Sequence, residues 1–282
     1  MAHQHGGTAD LDWSAMLDAL ARADEIEADV TAQIAGWLLT GPERVIYDVG
    51  CGAGGMTAAL SAAAPDARLV AVDGEPALLA ATRRHTGVET VLADLGTELP
   101  IPPASADLIW ASGVLHHLPD QQSVVTDLAT RLAPGGRLAL GEGGLQSRSL
   151  PWDLGIGEPG LEIRLDAAHD RWFTRMRRDL GGALPMAYGW STALRHAGLV
   201  DVTARSFLID LPAPLGPRES EYVIGRLRSL LERDGLEDLV RAEDRDILRR
   251  LTDPEDAVHR SVRSDLYLLA ARTVYVGRRP DA

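Results

Sequence analysis

One segment constrains the fold of this chain more than any other: residues 45–57, VIYDVGCGAGGMT, where an apolar run ends in an acid and then in a turn built on Gly50, Gly52, Gly54 and Gly55. An apolar run that breaks into glycines and resumes with helix-compatible residues reads as a buried parallel strand passing into a helix. Glycine belongs where the backbone turns tightly or where a ligand comes close. A turn of this kind predicts a nucleotide-like ligand at the C-terminal ends of the strands. The spacing leaves the nucleotide open, because Gly50, Gly52 and Gly55 also satisfy the GxGxxG pattern of dinucleotide sites.

Around that turn the chain alternates. Apolar periodicity predicts strands near 44–49, 68–72, 89–93, 106–111 and 137–141, and helices near 55–64, 76–85 and 121–132. Before them, Leu11, Trp13, Met16, Leu17 and Leu20, then Ile26, Val30, Ile34, Trp37 and Leu38, mark two helices within 10–39, closed by Gly41 and Pro42. Strand–helix alternation implies a parallel sheet with right-handed crossovers and helices on both faces. After Gly144 the pattern changes: 145–163 reads as a long loop, followed by helices near 165–180 and 187–197 and a strand over 199–209. Two apolar stripes in 212–263 mark a helical insertion, and a last strand over 265–276 is expected to pair antiparallel with 199–209. The expected organisation is an N-terminal helical cap at 1–41, a ligand-binding core at 42–211 and 264–282, and an insertion at 212–263.

Composition removes several classes of function. All 28 basic residues are arginine, so a Walker-type phosphate lysine and a Schiff-base lysine are both excluded. A formal net charge of -13 would repel a nucleic-acid backbone or an anionic membrane, which points to a small-molecule substrate. Cys51 is the single cysteine, so there is no internal disulfide and no thiolate cluster, and it reads as a small residue fitting a tight turn. The histidines His3, His5, His85, His196 and His259 stand at spacings that suit no metal site, and no metal is expected. The sequence has neither a basic, apolar leader at its N-terminus nor an apolar run of membrane-spanning length, so a soluble, cytoplasmic protein is the expectation.

Three carboxylates fall where the first three strands end: Asp48, Asp73 and Asp94. An acid leaving the second strand can accept both ribose hydroxyls in a dinucleotide or in any other nucleoside ligand. Asp94 is placed to accept from an adenine amino group, which a dinucleotide site explains less well. With these acids, the segments YDVGCGAGG, VAVDGEP, LADL, DLIWASGVLHHLPD and LAPGGRLALGEGG closely resemble the class I S-adenosylmethionine-dependent methyltransferases, specifically the small-molecule type with a double histidine after strand four. The resemblance is strong over 45–144 and weaker through LRHAGL and the terminal strand. It implies a Rossmann-like α/β fold whose seven-stranded sheet runs 3-2-1-4-5-7-6 with strand seven antiparallel, elaborated by the helical cap and insertion.

The resemblance also implies roles. Gly50, Cys51 and Gly52 would hold the methionine moiety of S-adenosylmethionine over Asp48, with the following helix N-terminus favouring its carboxylate; Asp73 would bind ribose, Gly74 and Glu75 would border adenosine, and Asp94 with Leu95 would recognise adenine. Ser112 would sit near the amino-acid end, with Met56 a further candidate contact. His116, His117 and Glu142 are the candidates for proton transfer, each set against a packing or ion-pairing role. Arg148, Trp152, Arg164, His169, Trp172 and Tyr188 are candidates for the pocket wall, and Arg171, Arg175, Arg177 and Arg178 form a basic ridge that is either a solvated face or an anion-receiving one. The expected activity is methylation of a small organic acceptor, at oxygen, in specialised metabolism. Carbon or nitrogen methylation and a non-methylating cofactor-binding role on the same fold stay open, as does a homodimer contact through the cap or insertion.

Overall fold

The structure is a computed structural model and describes residues 13–281 apart from 42, 98 and 234. Leu11, Pro42, His3 and His5 therefore lie outside the described residues. Two helices come first, α1 (Leu17–Ile26) and α2 (Ala28–Leu38). The alternating section follows: β1 (Val45–Val49), α3 (Gly55–Ala63), β2 (Arg68–Asp73), α4 (Pro76–Thr86), β3 (Glu89–Leu92), β4 (Ala106–Ser112), α5 (Gln121–Arg131) and β5 (Leu132–Arg148). After these stand α6 (Leu161–Asp179), α7 (Trp190–His196), β6 (Val200–Leu211), α8 (Pro217–Glu232), α9 (Ala242–Thr252), α10 (Ala257–Val262) and β7 (Leu268–Arg278). The seven strands form one sheet in the order β3-β2-β1-β4-β5-β7-β6, with β7 antiparallel, as the resemblance implies.

The central strands are buried, which is why they read as continuous apolar runs. Ile46, Tyr47 and Val49 of β1, Val70 and Val72 of β2, Ile109 and Ala111 of β4 and Leu138 and Leu140 of β5 are all buried. Register follows directly, with Val45 opposite Arg68 and Asp48 opposite both Ala71 and Trp110. Because the parallel strands start level, β1, β2 and β4 also finish level, and their last residues share one rim. Local chemistry sets the helix ends. Glu75 caps α4 by accepting from the Ala77 amide, with Pro76 at the first helical position, and Asp120 caps α5 by accepting from Ser123.

Two boundaries differ from the sequence reading. The strand expected at 137–141 belongs to a ladder that begins at Leu132: Ala106 pairs with Leu132 and Leu108 already with Arg137, so Ala133, Pro134, Gly135 and Gly136 form a bulge. Proline and two glycines read as a turn, yet Gly135 donates to the Arg279 carbonyl and Arg279 to that of Gly136, which keeps the segment in the sheet. The same strand continues to Arg148, and α6 begins at Leu161 rather than near 165, so the loop between them is shorter than composition suggested.

The described chain divides into two compact units. The first holds the residues up to Gly144, with Asp179–Phe207 and the chain from Arg272 onwards. The second holds Leu145–Arg178 and Leu208–Ala271. Inside the second, Ile224 and Leu227 of α8 and Ile247, Leu248 and Leu251 of α9 are buried, members of the two stripes read from sequence, and Val223 is buried beside them. No helix among the described residues is long and apolar enough to cross a membrane.

Candidate functional site

The first unit contains a cleft of about 340 Å³, within the range of small-ligand pockets. One rim is made by strand ends. After β1, the amides of Gly50 and Cys51 both donate to the Val72 carbonyl, at 2.7 and 3.1 Å, which pins the glycine turn to β2. Asp73, the last residue of β2, accepts from the Gly52 amide and the Glu75 amide, each at 3.0 Å. Beneath the turn lies Asp48, fully buried and bonded to the Thr57 hydroxyl. Beyond β3, Asp94 accepts from the Gly96 amide at 2.9 Å. Asp48, Gly50, Cys51, Gly52, Asp73, Gly74, Asp94, Leu95 and Ser112 all line this one cleft, together with Met56 and Glu75.

The glycines of the turn differ in what they make room for. Gly52, at φ +57°, faces open space where a side chain would project, as a ligand-contacting backbone requires. At Gly55 a Cβ would lie 2.4 Å from Cγ of Asp24, a residue of α1. Asp24 accepts a 2.9 Å hydrogen bond from the Gly55 amide at the N-terminus of α3. That amide lies at the position where the helix of a dinucleotide site would meet pyrophosphate. Here the chain's own carboxylate takes it. The residue completing the GxGxxG spacing therefore serves an internal contact, and an anionic group approaching that N-terminus meets a carboxylate; this applies equally to the carboxylate of a methionine moiety.

Burial dominates the electrostatics. It pushes the Asp24 carboxyl up to about 6 and that of Asp48 up to about 7, against the Gly55 and Thr57 hydrogen bonds that pull them down. Asp73 is raised by the same cause, partly offset by its amide donors. The Cys51 thiol is raised by burial and by Asp48 and Asp73, so it stays protonated and has no nucleophilic role. A ligand carrying positive charge would relieve this crowding of acids.

The opposite wall comes from α1, α2 and β7, with Trp13, Leu20, Asp24, Glu27, Thr31 and Ile34 facing Arg272, Thr273 and Val274. Glu27 and Arg272 form a two-pronged ion pair. Sequence reading expected a cap from the helices at 10–39 but named neither Asp24, Glu27 nor Arg272 as lining the cleft. Leu20, Asp24 and Glu27 lie at i, i+4 and i+7, one helical face, so acids interrupting that stripe were the available signal.

After β4 the chain makes a single 3-10 turn, Leu115–His117, whose last residue, His117, lines the cleft with Trp13 edge-on to its ring at 5.1 Å between centroids. His116 and Glu142 are not among the lining residues. Glu142, buried at the end of the apolar part of β5, accepts from the amides of Val114 and Leu115 at 3.2 and 3.0 Å and bonds Nδ1 of His116 at 2.7 Å. Ser112 donates to the Gly141 carbonyl at 3.0 Å. Of the other wall candidates, Tyr188 bonds Gln122 within the first unit. In the second unit Arg164 binds buried Asp244, Arg148 pairs with Asp166, and Arg171 donates to the Leu239 carbonyl.

The fold and this rim define a class: a Rossmann-like sheet whose glycine turn accepts a nucleoside without a pyrophosphate. Residues 47–140 match the family described as a methyltransferase domain, and the chain has the Rossmann-like fold of methyltransferases. Similar proteins include a trans-aconitate 2-methyltransferase of Methylobacterium nodulans, 41% identical over 130 residues, covering 46% of this chain and 49% of that one. A 27-O-demethylrifamycin SV methyltransferase of Amycolatopsis mediterranei is 36% identical over 132 residues, covering 44% and 48%. The chain thus spans about half the length of these curated relatives. In fold it is similar to phosphoethanolamine N-methyltransferase 2 of Haemonchus contortus in complex with S-adenosyl-L-methionine, at a TM-score of 0.51 and 14% identity, covering 96% of this chain and 60% of that one. The lining is compatible with that cofactor: open space at Gly52, Asp73 and Asp94 on the rim, and acids that would favour a positively charged ligand.

Proposed function

We propose that this protein is an S-adenosylmethionine-dependent methyltransferase acting at an oxygen of a small organic acceptor. One observation carries the choice of cofactor: the segment 47–140, which holds the glycine turn and puts Asp73 and Asp94 on the cleft rim, matches a methyltransferase domain. The two relatives are named for small organic molecules, one of them for an oxygen position, which supports the acceptor class.

Bound S-adenosylmethionine supplies an activated methyl group on its sulfonium. Asp73 would hold the ribose hydroxyls and Asp94 the adenine amino group, while the backbone at 50–52 positions the methionine end. Fixing the acceptor in line with the methyl supplies most of the acceleration, because the leaving group is already activated. A hydroxyl acceptor must lose its proton, and the turn after β4 carries the candidates. Glu142 accepts on both carboxylate oxygens, so it orients His116 as an Nδ1–H donor and leaves proton exchange to Nε2. His117, in the cleft wall against Trp13, is the second candidate.

The test is S-adenosylhomocysteine formation with a panel of hydroxyl-, carboxyl- and amine-bearing small molecules, with products read by mass. A methyl gained at a hydroxyl or carboxyl oxygen supports the reading, and a methyl gained only at nitrogen or carbon overturns the oxygen assignment. With an active acceptor in hand, His117→Ala, at the histidine in the cleft wall, is expected to lower kcat about 100-fold with cofactor affinity unchanged. Unchanged kcat in His116→Ala and in His117→Ala removes the general base.

A further inference from the structure

The two carboxylate oxygens of Glu142 hold different partners, and the partners can be tested apart. We propose that Glu142 is a positioning residue for His117: its Oε1 seats the turn after β4 so that this histidine reaches the cleft, while Oε2 holds the ring of His116. The proposal rests on the methyl-transfer reading of the cleft.

Glu142 is 2% exposed and does not line the cleft, so it acts on an acceptor only through other residues. Oε1 accepts from the amides of Val114 and Leu115, and Oε2 bonds Nδ1 of His116. The seat has little play. Leu115 is fully buried. Val114 fills the space that Gly50 leaves, since a Cβ at Gly50 would lie 2.1 Å from Cγ2 of Val114. The turn after β4 is therefore held by the buried acid and packed on the glycine turn. Because it is a single 3-10 turn, fixing Val114 and Leu115 also fixes His117, whose amide donates to the Val114 carbonyl at 3.0 Å. The His117 ring then lies in the cleft wall, with its centroid 4.1 Å from that of His116 and 5.1 Å from that of Trp13. Where the reacting groups must meet in a near-attack geometry, a misplacement of about 1 Å costs about 100-fold in rate.

Glutamine separates the two oxygens. In Glu142→Gln the amide oxygen can accept from both backbone amides, while its NH2 group replaces Oε2 against Nδ1 of His116. The opposite placement would set that NH2 group against two N–H donors. Nδ1 of His116 must then accept, and its proton must move to Nε2.

Two measurements test the proposal. The first needs no acceptor: nitrogen-15 spectra of the histidine rings in protein saturated with S-adenosylhomocysteine, with His116 assigned from His116→Ala. The His116 proton is expected on Nδ1 in the wild type and on Nε2 in Glu142→Gln; an Nδ1 proton that persists in Glu142→Gln overturns the proposal. The second is S-adenosylhomocysteine formation from S-adenosylmethionine and the hydroxyl compound that the wild type methylates fastest. Glu142→Ala is expected to lower kcat about 100-fold, as His117→Ala does, with the KM for S-adenosylmethionine changed less than threefold. The double variant is expected to be no slower than either single one, because Glu142 acts through His117. Glu142→Gln, which keeps the seat, is expected to turn over at least tenfold faster than His117→Ala, a comparison that stands even where Glu142→Ala does not fold. Losses that multiply in the double variant, or a Glu142→Gln as slow as His117→Ala, overturn the proposal while leaving the methyl-transfer reading intact. Full turnover by His117→Ala counts against the general base and removes this proposal with it.

Discussion

The two sides of the cleft are built by different rules. The strand-end rim is local: Asp48, the glycine turn, Asp73 and Asp94 each sit within a few residues of the strand that places them, and parallel register brings them level. The helical wall is assembled across the chain. Asp24 reaches Gly55, and Glu27 reaches Arg272, 245 residues away. The rim therefore follows from short stretches of chain, while the wall depends on contacts between distant ones.

Removing a rim carboxylate should have the largest effect. Asp73→Ala is expected to weaken S-adenosylhomocysteine binding about 100- to 10,000-fold in calorimetry, from the loss of two charge-assisted hydrogen bonds to ribose of ~1.5–3 kcal/mol each. A change below tenfold would mean that the rim does not recognise ribose through this residue.

The wall is tested by pH. Asp24 has a folded-state value of about 6 against an ordinary 3.8, so the folded state binds its proton more tightly than the unfolded one. Its contribution is fully present below the unfolded value and is lost as pH rises through 6. Across that window the loss is about 3 kcal/mol, taking ~1.4 kcal/mol per unit. Asp24→Asn, which keeps an acceptor for the Gly55 amide, should gain stability relative to wild type by about that amount between pH 4 and pH 8. Denaturant unfolding at both pH values reads the difference, and parallel curves would mean that Asp24 is not strained by its burial.

A smaller effect is expected at the contact itself. Gly55→Ala would set a Cβ 2.4 Å from Cγ and 2.8 Å from Cβ of Asp24, and because the latter cannot rotate away α1 must shift, so the cost should be about 2 kcal/mol. In a double-mutant cycle Gly55→Ala and Asp24→Ala should be strongly non-additive, since each breaks the same contact. Additive effects would separate the glycine from the acid.

The same contrast explains what was legible in the sequence. The strand–helix alternation, the glycine turn and three strand-end acids could be read because each is a short pattern with a local cause, whereas the strand order came with the family resemblance. Gly55 was visible but its reason was not: a glycine that admits a carboxylate from α1 looks the same in sequence as one that admits a pyrophosphate. The proline and glycines before Arg137 were misleading for a similar reason, since their hydrogen bonds are satisfied by β7, at the far end of the described chain. Glu142 was read either as a group reaching the acceptor or as the partner of an arginine. It is placed instead under the turn after β4, where two backbone amides and His116 converge on it, a set of partners that no spacing between 114 and 142 announces.

The central claim is that this glycine turn, closed at its helix end by Asp24, takes an adenosyl sulfur ligand and refuses a dinucleotide. Isothermal titration of the purified chain with S-adenosylmethionine, S-adenosylhomocysteine and NAD tests it most directly. The account predicts saturable binding of the first two and no heat of binding from NAD at 1 mM. Saturable binding of NAD with no binding of either adenosyl sulfur ligand would contradict it.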